Sequence, residues 1–219
     1  MKSLILRTVT GLVLAILFLI FFIYLPPYFL SFLLFIILLL IFAFEWPRLL
    51  SPKELPFWLI APLYPLLPFG MLIALNQNLE YRPLVLILVL LVAAHDTGSY
   101  FIGRFFGNHK IMTHISPLKT WEGFFGGYIF TLTALFIFLR ILKLPVDLVS
   151  SGLLAFVVSL LAFLGDLFES WLKRRASVKD SGTILPGHGG LLDRFDGILF
   201  VVVFFYLFKD YLVHFFNLP

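Results

Sequence analysis

Residues 147–172 read DLVSSGLLAFVVSLLAFLGDLFESWL. As a helix rising about 1.5 Å per residue, this stretch is long enough to cross the roughly 30 Å of hydrocarbon in a bilayer. Yet Asp166 and Glu169 lie inside it, near its C-terminal end. Carboxylates within an apolar helix are costly, and by default they mark a functional site or a buried pair. Outward from this run, six further stretches read as spans: residues 4–25, 28–44, 55–75, 83–103, 121–142 and 197–217. Of the 219 residues, 61% are hydrophobic and only 13% charged, a balance that excludes a soluble domain. The predicted class is therefore all-α, a polytopic transmembrane helical bundle of about seven spans.

The first stretch reads as a retained helix, because its apolar run is too long for a signal peptide and no small-residue cleavage site follows it. Pro26 and Pro27 predict a tight turn after it. Pro56, Pro62, Pro65 and Pro68 predict that the third stretch is kinked or partly re-entrant. No repeat or low-complexity linker divides the chain, so a single integral membrane domain is expected. Within it, residues 1–82 would supply helices for packing or lipid contact, and residues 83–217 the half that carries the polar loops. The 28 phenylalanines suit helix–lipid and helix–helix contacts. Cysteine is absent, which excludes disulfides and thiolate metal sites and leaves only oxygen or imidazole ligands.

Charge fixes the expected orientation. Alternate loops assign Lys2, Arg7, Arg48, Lys53, Arg104, Lys110, Lys119, Lys173, Arg174, Arg175, Lys179 and Arg194 to one side, and Arg82, Arg140 and Lys143 to the other. By the positive-inside rule the richer side, with the N-terminus, is cytosolic. The net charge of +4 is then topological, and no nucleic-acid partner is expected.

On that reading the unusual polarity gathers at one membrane face. Asp96 stands near the cytosolic end of the fourth span. In the sixth, Asp166, Glu169, Ser170 and Lys173 are three, four and seven residues apart, which stacks them on one helical face. Next comes residues 179–196, KDSGTILPGHGGLLDRFD, in which glycines flank His188 and carboxylates bracket Arg194. Glycines of this kind let backbone N–H groups approach phosphate oxygens. If the last span begins near there, Asp193 and Asp196 share a face, a hard-oxygen site suited to Mg2+. The loop of residues 104–122 adds Ser116 and Lys119, but neither its spacing nor that of Asp96-Thr97-Gly98 is a Walker A loop or a dinucleotide fingerprint. His109 and His114 have no acidic partner at metal-ligand spacing and read as interfacial histidines.

From Ser170 to Asp196 the chain resembles the signature of the phosphatidate cytidylyltransferase (CDP-diacylglycerol synthase) family. Its fixed positions are met by Ser170, Lys173, Arg174, Lys179, Asp180, His188, Gly189, Gly190, Asp193, Arg194 and Asp196. Asp96-Thr97-Gly98 and residues 116–123, SPLKTWEG, are similar to two further motifs of that family, so the resemblance covers about residues 83–217. The part before them looks shorter than the family's. His95 stands where a small residue is expected, and Gly197 where serine is common.

The resemblance implies transfer of a cytidylyl group from CTP to phosphatidate, giving CDP-diacylglycerol and pyrophosphate. It also implies Mg2+ dependence, a second, monovalent cation and a homodimer in a bacterial-type inner membrane with its site facing the cytosol. The attacking phosphate is already an anion near neutral pH, so the chemistry asks mainly for charge neutralisation between two polyanions. Asp166 and Asp193 are accordingly expected to hold Mg2+, supported by Glu169, Asp196 and Asp96. Lys173, Arg174, Lys179 and Arg194 would clamp phosphates, with Lys119 reaching either substrate. Ser170, Ser116 and His188 would orient oxygens, and Asp180, Gly189 and Gly190 would line the substrates. Two rivals are weaker. A CDP-alcohol phosphotransferase would need Ala-Arg where Phe200-Val201 stands, and a transporter would favour midplane charges and repeats.

Overall fold

The computed structural model describes residues 2–144, 147–185 and 189–218, with side chains in the first helix from Gly11 onward. The chain forms two compact units: Met1–Arg82 with Leu172–Phe195, and Pro83–Trp171 with Asp196–Pro219.

In the first unit, α1 (Lys2–Ile23) is followed by the turn at Pro26 and then by α2 (Pro27–Leu40), which opens with proline, where a missing N–H costs nothing. A π-helical turn, Ile41–Glu45, carries α2 into α3 (Trp46–Leu49). The extra residue of such a turn re-aims the side chains that follow it. Next, α4 (Leu55–Ile60), a second π-helical turn (Pro62–Leu66) and α5 (Leu67–Gln77) make the third span. Tyr64 there has the extended angles φ −155° and ψ 114° beside Pro65, so the expected proline kink is present. Helix α2 packs on α5, where the buried Asn76 amide donates to the Pro27 carbonyl (2.8 Å) and to Ser31 Oγ (2.9 Å). Arg82 Nη2 donates to the carbonyls of Phe22 (2.6 Å) and Leu25 (3.0 Å), satisfying groups that α1 leaves open at its C-terminal end.

The second unit is built from α6 (Arg82–Phe106), α7 (Trp121–Ile141), α8 (Leu148–Arg175), α9 (Leu192–Leu207) and α10 (Lys209–Phe215). Helices α8 and α9 each contribute residues to both units. Small residues line the α6–α7 contact, as is usual where helices pack without a hydrophobic driving force. A Cβ on Gly98 would lie 2.6 Å from the Gly126 carbonyl, and one on Gly126 would lie 2.4 Å from Ile102 Cβ. Between these helices the expected loop contains an antiparallel hairpin, β1 (Lys110–Met112) and β2 (Ser116–Thr120), with Lys110 opposite Thr120 and Met112 opposite Ser116. Thr120 then caps α7 by accepting from the Gly123 N–H (3.1 Å). Asp147 opens α8, and hydrogen bonds from the Ser150 side chain and backbone N–H hold its carboxyl below the ordinary carboxylate range.

The architecture is all-α and polytopic, with that hairpin added. Among the described residues five helical segments are long and apolar enough to cross a membrane: Pro27–Leu49, Leu55–Gln77, Arg82–Phe106, Trp121–Ile141 and Leu148–Arg175. A sixth is reached if α9 and α10 count as one span. Described side chains of α1 cover only Gly11–Ile23, so the seventh span expected from sequence is not established. The last stretch, expected as a span at residues 197–217, is a bent pair of helices. It starts at Leu192 and bends by 85° at Phe208, whose φ of −108° and ψ of 19° leave the helical region. Lys209 and Asp210 follow at once and pair at 3.5 Å.

Candidate active site

In the second unit three carboxylates converge. One oxygen each from Asp166 and Glu169 of α8 and Asp196 of α9 lie within 4.8 Å of one another. The i, i+3 spacing sets the first two on one face of α8, and Gly165 lets α9 approach that face. A Cβ on Gly165 would stand 2.3 Å from the Asp196 carbonyl oxygen and 3.1 Å from Gly197 Cα. Gly197 is tight from its own side, since its Cβ would meet Val92 Cγ1 at 3.3 Å and Ala162 Cα at 3.4 Å. Glu169 is fully buried, whereas the Asp166 side chain is 43% exposed and faces a cation. That cation is Lys119 of β2, whose ammonium lies 2.7 Å from Asp166 Oδ2 and 5.1 Å from the centre of the Phe163 ring. Ser170 Oγ donates to Asp166 Oδ1 at 3.4 Å. His95 is buried on α6 beside Phe124, its Nε2 3.3 Å from Ser99 Oγ.

The first unit holds a second polar group. Lys173 Nζ donates to Asp193 Oδ1 at 2.7 Å, and both side chains are largely shielded from solvent, which strengthens the attraction. Asp193 Oδ2 accepts from the Ser181 N–H (3.0 Å), Ser181 Oγ (2.9 Å) and the Gly190 N–H (2.7 Å). Gly189 has φ +82°, in the left-handed region that suits glycine, and its carbonyl accepts from the Leu185 N–H across the loop (3.0 Å). A Cβ on Gly189 would lie 2.8 Å from Asp193 Oδ2 and 3.3 Å from Asp180 Cβ, so this turn brings Asp180 beside the group. Helix α9 begins at Leu192, and Asp193 and Asp196 stand three residues apart in it.

Of the other residues singled out from sequence, Arg174 is exposed and donates to the Val178 carbonyl (3.1 Å). Lys179, Arg194 and Asp96 are exposed as well. Ser116 opens β2 opposite Met112. His188 lies outside the described residues. His109, read as an interfacial histidine, pairs with Glu122 of α7, whose carboxylate also accepts the His109 N–H (3.2 Å).

Sequence reasoning passed over Glu45. This carboxylate is fully buried at the end of the first π-helical turn and accepts from the Leu191 N–H (2.7 Å), the Leu192 N–H (2.8 Å) and Ser181 Oγ (3.2 Å). The signal for it was present, since Glu45 is an ionisable residue at the end of a long apolar run, as Asp166 is.

With this geometry in hand, comparison with known proteins is informative. A model of the cytidylyltransferase family matches residues 52–212, most of the chain and every carboxylate of the trio. The chain belongs to the cytidylyltransferase family. Several curated members are similar to it. The phosphatidate cytidylyltransferase of Bacillus subtilis (strain 168) is 50% identical over 111 residues, covering 51% of this chain and 41% of that protein. The Staphylococcus epidermidis protein of the same name (strain ATCC 12228 / FDA PCI 1200) is 44% identical over 127 residues, 58% of this chain and 48% of its own. The one from Haemophilus influenzae is 40% identical over 172 residues, 70% and 60% respectively. The chain thus spans about half the length of the curated relatives it matches. The matched region begins at residue 52, shortly after Glu45.

Proposed function

We propose that this chain transfers a cytidylyl group from CTP to phosphatidate at the cytosolic face of an inner membrane, releasing pyrophosphate. The observation that carries the reading is the trio of Asp166, Glu169 and Asp196 within 4.8 Å, with Lys119 at Asp166. Family membership and the names of the similar proteins support it. In the reaction a phosphate oxygen of phosphatidate forms a bond to the α-phosphorus of CTP. The bond from that phosphorus to the bridging oxygen breaks, and pyrophosphate leaves with the electron pair.

The donor set fits the divalent ion that the family implies. Three clustered carboxylates, one fully buried, are hard oxygen ligands with open positions left for phosphate and water. Asp166, Glu169 and Asp196 would hold it, and when bound it neutralises phosphate charge and polarises the reacting P–O bonds. Asp193, expected from sequence to be a ligand beside Asp166, offers Oδ1, the oxygen that now meets Lys173. We assign it the task of holding that ammonium, together with Ser181 and Gly190, ready for phosphate oxygens. Lys119 beside Asp166, and separately Lys173 beside Asp193, supply positive charge for phosphate oxygens, as do the exposed Arg174, Lys179 and Arg194. Ser170 holds Asp166 in orientation. A second, monovalent cation and a homodimer belong to the same proposal.

The test is pyrophosphate release by the purified chain in detergent or vesicles. It should require CTP, phosphatidate and Mg2+ together, and Asp166→Asn and Asp196→Asn should each lower turnover by about 100-fold or more at unchanged expression. Turnover near wild type in both variants would remove the metal assignment. Release from CTP without phosphatidate would remove the substrate assignment.

A further inference from the structure

Glu45 lies in the N-terminal helices, before the segment that the family model matches, yet its carboxylate is built into the loop that bears the family-like signature. Oε1 accepts from the Leu191 N–H and Oε2 from the Leu192 N–H, at 2.7 and 2.8 Å. These are among the first N–H groups of α9, which have no partners inside the helix and carry its partial positive charge. Oε2 also lies 3.2 Å from Ser181 Oγ, the same hydroxyl that stands 2.9 Å from Asp193 Oδ2. Two glycines make the notch. A Cβ on Gly182 would be 2.5 Å from Glu45 Oε1, and one on Gly190 would be 2.8 Å from it. Among the described residues this fully buried carboxylate is met by N–H and O–H donors, and no cation is within ion-pair distance of it.

From this geometry we infer that Glu45 is a positioning residue, fixing the start of α9 and Ser181 so that Asp193 presents Lys173 to substrate phosphate. It acts through its contacts with residues 181, 191 and 192 and touches neither substrate. The π-helical turn of Ile41–Glu45 provides the means, because the residue that it inserts turns Glu45 inward where a regular helix would set it elsewhere. The inference rests on the proposed function for its catalytic consequence, but not for its structural one.

The absence of cysteine makes a direct test available. Ile184→Cys, on an exposed loop position, reports the loop, and Leu34→Cys, buried in α2, reports the unit as a whole. Each is labelled with a maleimide, with and without Glu45→Gln, an isostere that turns one acceptor oxygen into a donor. The expected result is a rise of about 10-fold or more in labelling at position 184, none at position 34, and a fall in kcat for pyrophosphate release of about 10- to 100-fold. Unchanged labelling at 184 overturns the inference, as does a parallel rise at 34, which would make Glu45 a support of the whole unit. A rise confined to KM for CTP, with kcat unchanged, also overturns it, since that would mean direct contact with the nucleotide. The labelling arm needs no substrate. A chain with no CTP-dependent activity would therefore refute the proposed function while still deciding the role of Glu45 in the loop.

Discussion

The buried Lys173–Asp193 pair is neutralised locally, and breaking it has a measurable cost. Lys173 and Asp193 meet at 2.7 Å with side chains only 12% and 5% exposed. Taking the ammonium away from a buried carboxylate is far more damaging than removing a surface pair, about 3 kcal/mol against less than about 1. Lys173→Met should therefore lower the unfolding temperature in detergent clearly, and adding Asp193→Asn to it should restore part of the loss by removing the stranded charge. Equal destabilisation by the single and double variants would refute the coupling. Asp166, Glu169, Lys173 and Asp193 were legible in the sequence because ionisable groups at helical spacing in an apolar run have few reasons to be there. Glu45 obeyed the same logic and was missed. It sits beside Trp46-Pro47-Arg48, just past residue 44, where the expected span ends. Its partners, at residues 181, 191 and 192, lie more than a hundred positions away, and no periodicity connects them.

Helices as elements were legible for the opposite reason: long apolar runs admit little else in a bilayer, where backbone groups must be satisfied within the segment. The exceptions arise where local geometry overrides the run. The hairpin of residues 110–120 has short strands with mostly exposed side chains and so no alternating apolar signal, and its ends are tied by the Trp121 N–H to the His109 carbonyl (2.9 Å) and by Glu122 to His109. Similarly, the bend at Phe208 falls beside Lys209 and Asp210, two charges that a hydropathy reading averages away. At this scale α8 supplies its own control. Gly165→Ala forces a methyl against the Asp196 carbonyl at 2.3 Å, so α9 must shift, costing about 1–3 kcal/mol and separating Asp196 from Asp166 and Glu169. Gly152→Ala in the same helix meets only Tyr128 Oη at 3.7 Å and should be neutral or stabilising by up to about 1 kcal/mol, since alanine favours helix. Thermal unfolding of both, with Mg2+ titration, checks the contrast. Similar behaviour of the two would mean that the α8–α9 approach does not hold the carboxylates together.

For the molecule as a whole, the solvent is the bilayer. Large apolar side chains stand exposed on one long helix after another, among them Phe32 of α2, Trp58 of α4, Phe125 and Ile137 of α7 and Leu153 of α8, a distribution that only lipid would tolerate. What composition does not settle is which side each loop faces, and the proposed chemistry depends on it, because CTP is drawn from the cytosol while phosphatidate stays in the leaflet. The charge bias assigns the 173–191 loop to the inside and the turn between α5 and α6 to the outside. Leu79, 72% exposed in that turn, and Ile184 are suitable single-cysteine sites in a chain that has no cysteine of its own. A membrane-impermeant maleimide should label Leu79→Cys in right-side-out vesicles at once, and Ile184→Cys only after permeabilisation. Because an odd number of spans separates the two sites, α6, α7 and α8, their labelling must be opposite if all three cross the membrane. Labelling of both from one side would remove a span from that set. Labelling of position 184 alone from outside would keep the spans but invert them, and would leave Asp193 and Lys173 out of reach of an intracellular nucleotide.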